Sequence, residues 1–212
     1  MRVSRVILLL SAVLSWQFLC PLRLLGGVEA EVRDISGSKY FDAVHLSLRN
    51  AENSIYVAMY EARVYPDKKS GPHYQLIQDL INARKRGVKV KVYLDRSESE
   101  DGATGEVVVH DTNTMAYEML REGGVDVRYV VPEQRMHAKL IVIDERTVVD
   151  GSANWSFSAL TQNAESSTMI ISQQYAVQKL QWIWALKLQK EPGEPRGVKG
   201  AKRERGKGDK PE

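Results

Sequence analysis

Between residues 31 and 188 the apolar positions repeat with two periods that take turns along the chain. In YFDAVHLSLRNA, Phe41, Val44 and Leu48 share one helix face, and residues 50–53 end the run. HYQLIQDLINARKRG places Leu76, Ile77, Leu80 and Ile81 at helical spacing and stops at Gly87. SIYVAMY reads as a buried strand, while VKVKVYLD alternates strictly, with its lysines outward. NTMAYEMLREGG predicts a short helix capped by Asn113 and ended by Gly123 and Gly124. VDVRYVV and ESSTMIIS are further strands, and QYAVQKLQWIWALKLQ is the last helix. This β-α-β-α-β-α-β order, closed by a hairpin, a strand and a helix, predicts an α/β sandwich with a central mixed β-sheet flanked by helices. No internal repeat is present.

The hairpin carries the densest polar pattern. In HAKLIVID, alternation puts His137, Lys139, Ile141 and Ile143 on one face and Leu140, Val142 and Asp144 on the other. If Glu145 and Arg146 form a two-residue loop, Asp144 pairs with Thr147, Lys139 lies opposite Ser152, and His137 lies opposite Asn154. Glu-Arg is not a favoured two-residue turn, so a register displaced by one stays open. In the first register four polar side chains meet at the open end of the hairpin, about 5 Å apart at Cβ. Asp144 points away, which fits a structural role.

The flanks and the charge narrow the setting. Residues 1–30 have Arg2 and Arg5 ahead of an apolar run from Val6 to Phe18, and Val28-Glu29-Ala30 resembles a cleavage site. That is a signal-peptide pattern predicting export to the periplasm or medium; membrane anchoring through residues 6–20 is the alternative. The single cysteine, Cys20, lies in this leader, so the mature chain has no disulfide framework and no thiol chemistry. The formal charge is +3. The leader holds three arginines against Glu29, and the stretch 189–212 holds eight Lys or Arg against five acids, leaving the body at −2. Residues 189–212 are rich in Gly, Pro and charge and are expected to be a disordered basic tail. Residues 31–188 are then one folded domain, and nucleic-acid binding by it must rest on local clusters such as Arg84-Lys85-Arg86.

An imidazole, an ammonium, a hydroxyl and an amide suit a phosphate site. Lys139, Ser152 and Asn154 donate to non-bridging oxygens, and charge-assisted bonds strengthen as negative charge builds. His137 serves as nucleophile or as acid near neutrality. One His beside one Lys is a poor zinc site and no carboxylate cluster suits Mg²⁺ or Ca²⁺, so chemistry without metal or other cofactor is expected.

HAKLIVID followed by ERTVVDGSAN resembles the HxK(x)4D(x)6GSxN signature of the phospholipase D superfamily. His137, Lys139, Asp144, Gly151, Ser152 and Asn154 fill its specified positions, a match expected by chance on the order of once in a million chains. Glu165, in QNAESS, falls where small single-motif members carry a glutamate that hydrogen-bonds the catalytic histidine. The resemblance covers most of residues 32–188 and implies a phospholipase D-like fold. It also implies a phosphohistidine intermediate on His137, with Glu165 fixing the tautomer as the acid of a triad does. A second motif histidine must protonate the leaving oxygen. His45, His73 and His110 are not followed two residues on by lysine, so one motif per chain remains. A homodimer that faces two His137 residues across the phosphate supplies the pair. His45 is expected in helix packing or on the surface, and His73 and His110 in loops, where bordering the site is the lesser reading. Trp182 and Trp184 are expected in the core or at a chain contact, and Trp155 either in the core or along the cleft.

The expected activity is a non-specific endonuclease cutting DNA or RNA. The alternatives are a phospholipase D acting on phosphatidyl headgroups and a non-catalytic phosphate-binding scaffold. The residues that choose the substrate lie in the loops 60–74 and 96–113.

Overall fold

The computed structural model describes residues 27–65, 70–96, 98–100, 107–109 and 112–190. The leader through residue 26, His110 and the tail from residue 191 lie outside the described residues. No helix among the described residues is long and apolar enough to cross a membrane.

A seven-stranded sheet organises the chain. Its strands are β1 (Glu31–Asp34), β2 (Ser54–Met59), β3 (Lys89–Leu94), β6 (Asp126–Tyr129), β7 (Lys139–Ile143), β8 (Thr147–Gly151) and β9 (Ser167–Ile171). Two short strands, β4 (Glu98–Glu100) and β5 (Val107–Val109), form a separate antiparallel ribbon. The large sheet runs in the order β1-β9-β8-β7-β2-β3-β6. β2, β3 and β6 are parallel, whereas β7, β8, β9 and β1 pair antiparallel, so the sheet is mixed as the pattern predicted. The ribbon and β1 were not foreseen: β4 (ESE) is polar, β5 (VVV) is only three residues long, and β1 (EVRD) is exposed along its whole length.

Helices cover both faces. α1 (Lys39–Arg49), α2 (Pro72–Lys85) and α3 (Thr114–Glu122) pack on one, and α5 (Gln173–Trp184) on the other. α4 (Phe157–Thr161) is a short helix beside α2. Alternation assigns the layers. Ile55, Val57 and Met59 of β2 enter the three-helix core with Ile141 and Ile143, while Tyr56 and Ala58 join Leu140 and Val142 beneath α5. β2 is buried at every position, which is why its sequence beyond Ser54 is a continuous apolar run rather than an alternating one. Gly71, at φ 99°, and Pro72 start α2, and Ser172 caps α5 by accepting from Tyr175 N–H. Asn113 occupies the N-cap position of α3, but its backbone is helical and its side chain makes no capping bond.

The β7–β8 hairpin departs from the first expected register by one residue. Ile143 pairs with Thr147 and Leu140 with Asp150. Asp144 and Glu145 take left-handed φ values of 50° and 52°, and Arg146 N–H donates to Ile143 O. The tight turn therefore sits on Asp144-Glu145, and Arg146 is an extra residue before β8. What holds Asp144 in the turn is its carboxylate. It accepts from the N–H groups of Asn53 at 2.7 Å, Ser54 at 2.9 Å and Glu52 at 3.1 Å, closing the α1–β2 connection. Hydrogen bonds to an ionised group are worth about 1.5–3 kcal/mol each, and neighbouring ones do not add fully. Asp144→Ala should therefore lower stability by about 2–3 kcal/mol, read as a fall in the urea midpoint at unchanged slope.

Candidate active site

The site forms where β2 and β3 end. Met59, the last residue of β2, pairs with Lys139, the first residue of β7, so the His137–Lys139 segment emerges at the carboxyl edge of the parallel strands. Crevices at such edges, where strand direction changes, are the usual ligand sites of α/β sheets. His137 is exposed and Lys139 is buried at 6 % exposure. The Lys139 Nζ donates to His137 O at 2.9 Å. It lies 3.2 and 3.3 Å from the two ring nitrogens of His137, so the cation sits against the ring rather than along one lone pair. Tyr60 completes the cluster: its ring centroid lies 4.4 Å from that of His137, and Nζ stands 4.8 Å from it. Burial pulls the Lys139 ammonium below the ordinary lysine range, and the carboxylates of Glu165, Glu61 and Asp95 oppose that pull.

With the one-residue displacement, Gly151 rather than Ser152 continues the register opposite Lys139, and His137 is no longer opposite Asn154. Ser152 instead donates its hydroxyl to Glu165 Oε2 and accepts from Ser166 N–H at 3.0 Å. Glu165 Oε1 accepts from Asn163 Nδ2 at 3.0 Å. The expected bond from His137 to Glu165 is not formed among the described residues; that carboxylate accepts instead from Ser152 and Asn163. Asn154 Nδ2 donates to Glu61 Oε2 at 3.4 Å, and its buried Oδ1 has no partner. The site residues are thus gathered by their carboxylates. Glu165 holds Ser152, Glu61 holds Asn154, and both act on the charge of Lys139.

The other sequence candidates separate cleanly. His45 hydrogen-bonds the buried carboxylate of Asp79 at 2.6 Å and stacks on Phe41, as part of α1–α2 packing. His73 is buried in the first turn of α2, edge-on to Tyr65 and Phe157, with both ring nitrogens unpartnered and its pKa lowered by burial. Trp155 belongs to the core, where its indole N–H donates to Tyr40 Oη at 3.1 Å. Trp182 and Trp184 do not, being 45 and 57 % exposed on α5. The Arg84-Lys85-Arg86 cluster ends α2 and leads into the start of β3, at the opposite edge of the sheet from His137. Arg84 and Arg86 there bond the carbonyls of Gly124 and Leu48.

Sequence reasoning missed Tyr60, Glu61 and Asp95. All three directly follow the carboxyl ends of parallel strands, and that position was the signal that could have found them. Among the described residues no three His, Cys, Asp or Glu side chains are placed to hold a metal ion.

A mixed sheet between two helical layers, with this motif at its carboxyl edge, defines a phospholipase D-like domain. The family model described as "Cardiolipin synthase, PLD-like domain" matches residues 46–186, about two thirds of the chain, and the chain belongs to that family within the phospholipase D superfamily. It is 36 % identical over 135 residues to a phospholipase D of Rickettsia typhi, covering 63 % of this chain and 56 % of that one. The chain thus spans about half the length of the curated relatives it matches. It is 29 % identical over 85 residues to the human mitochondrial cardiolipin hydrolase, covering 36 % of this chain and 34 % of that protein. Among solved structures it resembles the phospholipase D family member Nuc from Salmonella typhimurium, with a TM-score of 0.57 and 25 % identity, covering 77 % of this chain and 100 % of that one.

Gly151 shows how tightly the site is built. A Cβ there would come within 2.6 Å of Ser166 O and Ser167 Cα, backbone atoms just before β9 and at its start. Gly151→Ala should therefore push β8 from β9 and cost about 1–3 kcal/mol, measured by thermal unfolding.

Proposed function

We propose that the chain is a phosphodiesterase in which an imidazole nitrogen of His137 attacks phosphorus, and that its substrate is nucleic acid. The observation that carries the chemistry is the exposed His137 ring lying against the buried Lys139 ammonium at the carboxyl edge of the sheet. As the N–P bond forms and the P–O bond to the leaving group breaks, negative charge grows on the non-bridging oxygens, where Lys139 stabilises it. Asn154 adds an amide donor. Its 3.4 Å bond to Glu61 is long for N–H···O and exchanges readily for a phosphate oxygen. The leaving oxygen needs a proton from the far side of phosphorus. We assign that role to His137 of a second copy in a two-fold homodimer, which then takes a proton from the water that cleaves the phosphohistidine. Glu165 supports the site through Ser152. No step calls for a metal ion.

Nucleic acid is favoured by an imidazole that stands open at a strand end, and by a likeness that takes in the whole of Nuc. Phosphatidyl headgroups are the second reading, supported by the 36 % identity to a protein named phospholipase D. The purified protein in EDTA should nick plasmid DNA. Intact plasmid together with choline release from phosphatidylcholine vesicles would transfer the proposal to lipid. His137→Ala should abolish turnover, and mixed dimers holding one His137→Ala chain should be nearly inactive; survival of half the activity would mean independent sites.

The ammonium is the working form of Lys139. Because burial lowers its pKa, the site loses that charge at a lower pH than an exposed lysine would. The alkaline limb of kcat should therefore fall below the ordinary lysine range, and Glu61→Gln, which removes one opposing carboxylate, should move it lower still.

A further inference from the structure

His137 belongs to no strand or helix and its side chain is exposed, so something else must fix the direction of its ring. Its two chain neighbours are both tied. Met136 N–H donates to Asp95 Oδ1 at 2.7 Å, and Ala138 O accepts from Tyr60 N–H at 2.8 Å. The residues that make those ties are themselves joined by one side chain. Asn113 Nδ2 donates to Tyr60 O at 2.9 Å and to Asp95 O at 2.8 Å, while its Oδ1 accepts from Ala62 N–H at 2.7 Å. Asn113 is 2 % exposed and Asp95 4 %, so both sets of bonds are made out of water. A closed circuit results: Asn113 to Tyr60, Tyr60 to Ala138, through His137 to Met136, to Asp95, and back to Asn113.

We propose that Asp95 and Asn113 are positioning residues for the reaction: they touch no substrate, but through this circuit they aim the His137 imidazole and seat the Tyr60 ring beside it. Asn113 suits this role because one carboxamide offers two donors and an acceptor in a plane, and here each meets a backbone group of a different residue. Asp95 suits it because a carboxylate oxygen makes a strong, short bond to an amide N–H. A misplacement of about 1 Å is enough to cost on the order of 10²-fold in rate when a nucleophile must meet phosphorus in line. Removing a positioning group should lower kcat and leave KM nearly unchanged, because substrate binding does not use it.

The inference rests on His137 as the reacting group, so the test includes that residue. Full-length protein and its variants are assayed on bis(4-nitrophenyl) phosphate, with circular dichroism showing that each is folded. Asp95→Ala and Asn113→Ala should lower kcat by on the order of 10²-fold with KM within about 2-fold of wild type. Asp95→Asn keeps an oxygen for Met136 N–H and should restore kcat to within about 5-fold of wild type, a rescue that a loss of general stability would not give. Folded Asp95→Ala protein with wild-type kcat, or Asp95→Asn as slow as Asp95→Ala, would overturn the positioning role. If His137→Ala were itself fully active, the proposed reaction would fail instead, and the two failures are thereby told apart.

Discussion

Pairing of β2 with β3 on one side and β7 on the other is the constraint from which the rest follows. β2 is buried at all six positions, so its register with both neighbours is fixed by packing on two faces at once. A one-residue slip would exchange Ile55, Val57 and Met59 for Tyr56 and Ala58 between two unlike cores. Fixing β2 fixes where it ends, and Met59↔Lys139 then sets the ammonium at the edge where parallel meets antiparallel. The site is a consequence of that edge.

Charge at this edge is arranged around a cation that burial disfavours. Lys139 loses hydration, and the carboxylates of Glu165, Glu61 and Asp95 offset part of that loss. Each carboxylate also anchors a neighbour. Glu165 holds Ser152, Glu61 pairs with Arg63 at 2.7 Å and holds Asn154, and Asp95 holds Met136 N–H. Electrostatic compensation and geometry are therefore carried by the same groups. This is why the hydroxyl and the amide gather near the ammonium without bonding it directly.

The layers of the fold were legible in the sequence because short apolar or alternating runs take turns with period-3.6 runs, and the motif residues were legible because their spacing is specific. The hairpin register was not. It depends on Asp144 adopting a left-handed backbone, and the reason for that lies in the amides of residues 52–54, far away in the chain. The same kind of distance hid the part played by Asn113, which local pattern marks as a helix cap and tertiary structure uses as a clip between two loops. Glu165 was expected beside His137, yet its oxygens meet Ser152 and Asn163, nearer partners that a motif written along one strand does not display. β1 escaped notice because an exposed edge strand carries no burial signal.

The grip of Asp144 on Asn53 joins groups separated by 91 residues. As the chain leaves the ribosome, the amides that lead into β2 have no acceptor at their final address until the hairpin tip has been synthesised. Long-range closures of this kind slow folding, since loop entropy must be spent before the contact returns anything. The N-terminal half of the sheet should accordingly gain its last order only after the second half has docked, leaving the growing chain exposed to mispairing along β2 for longer than its apolar sequence alone suggests.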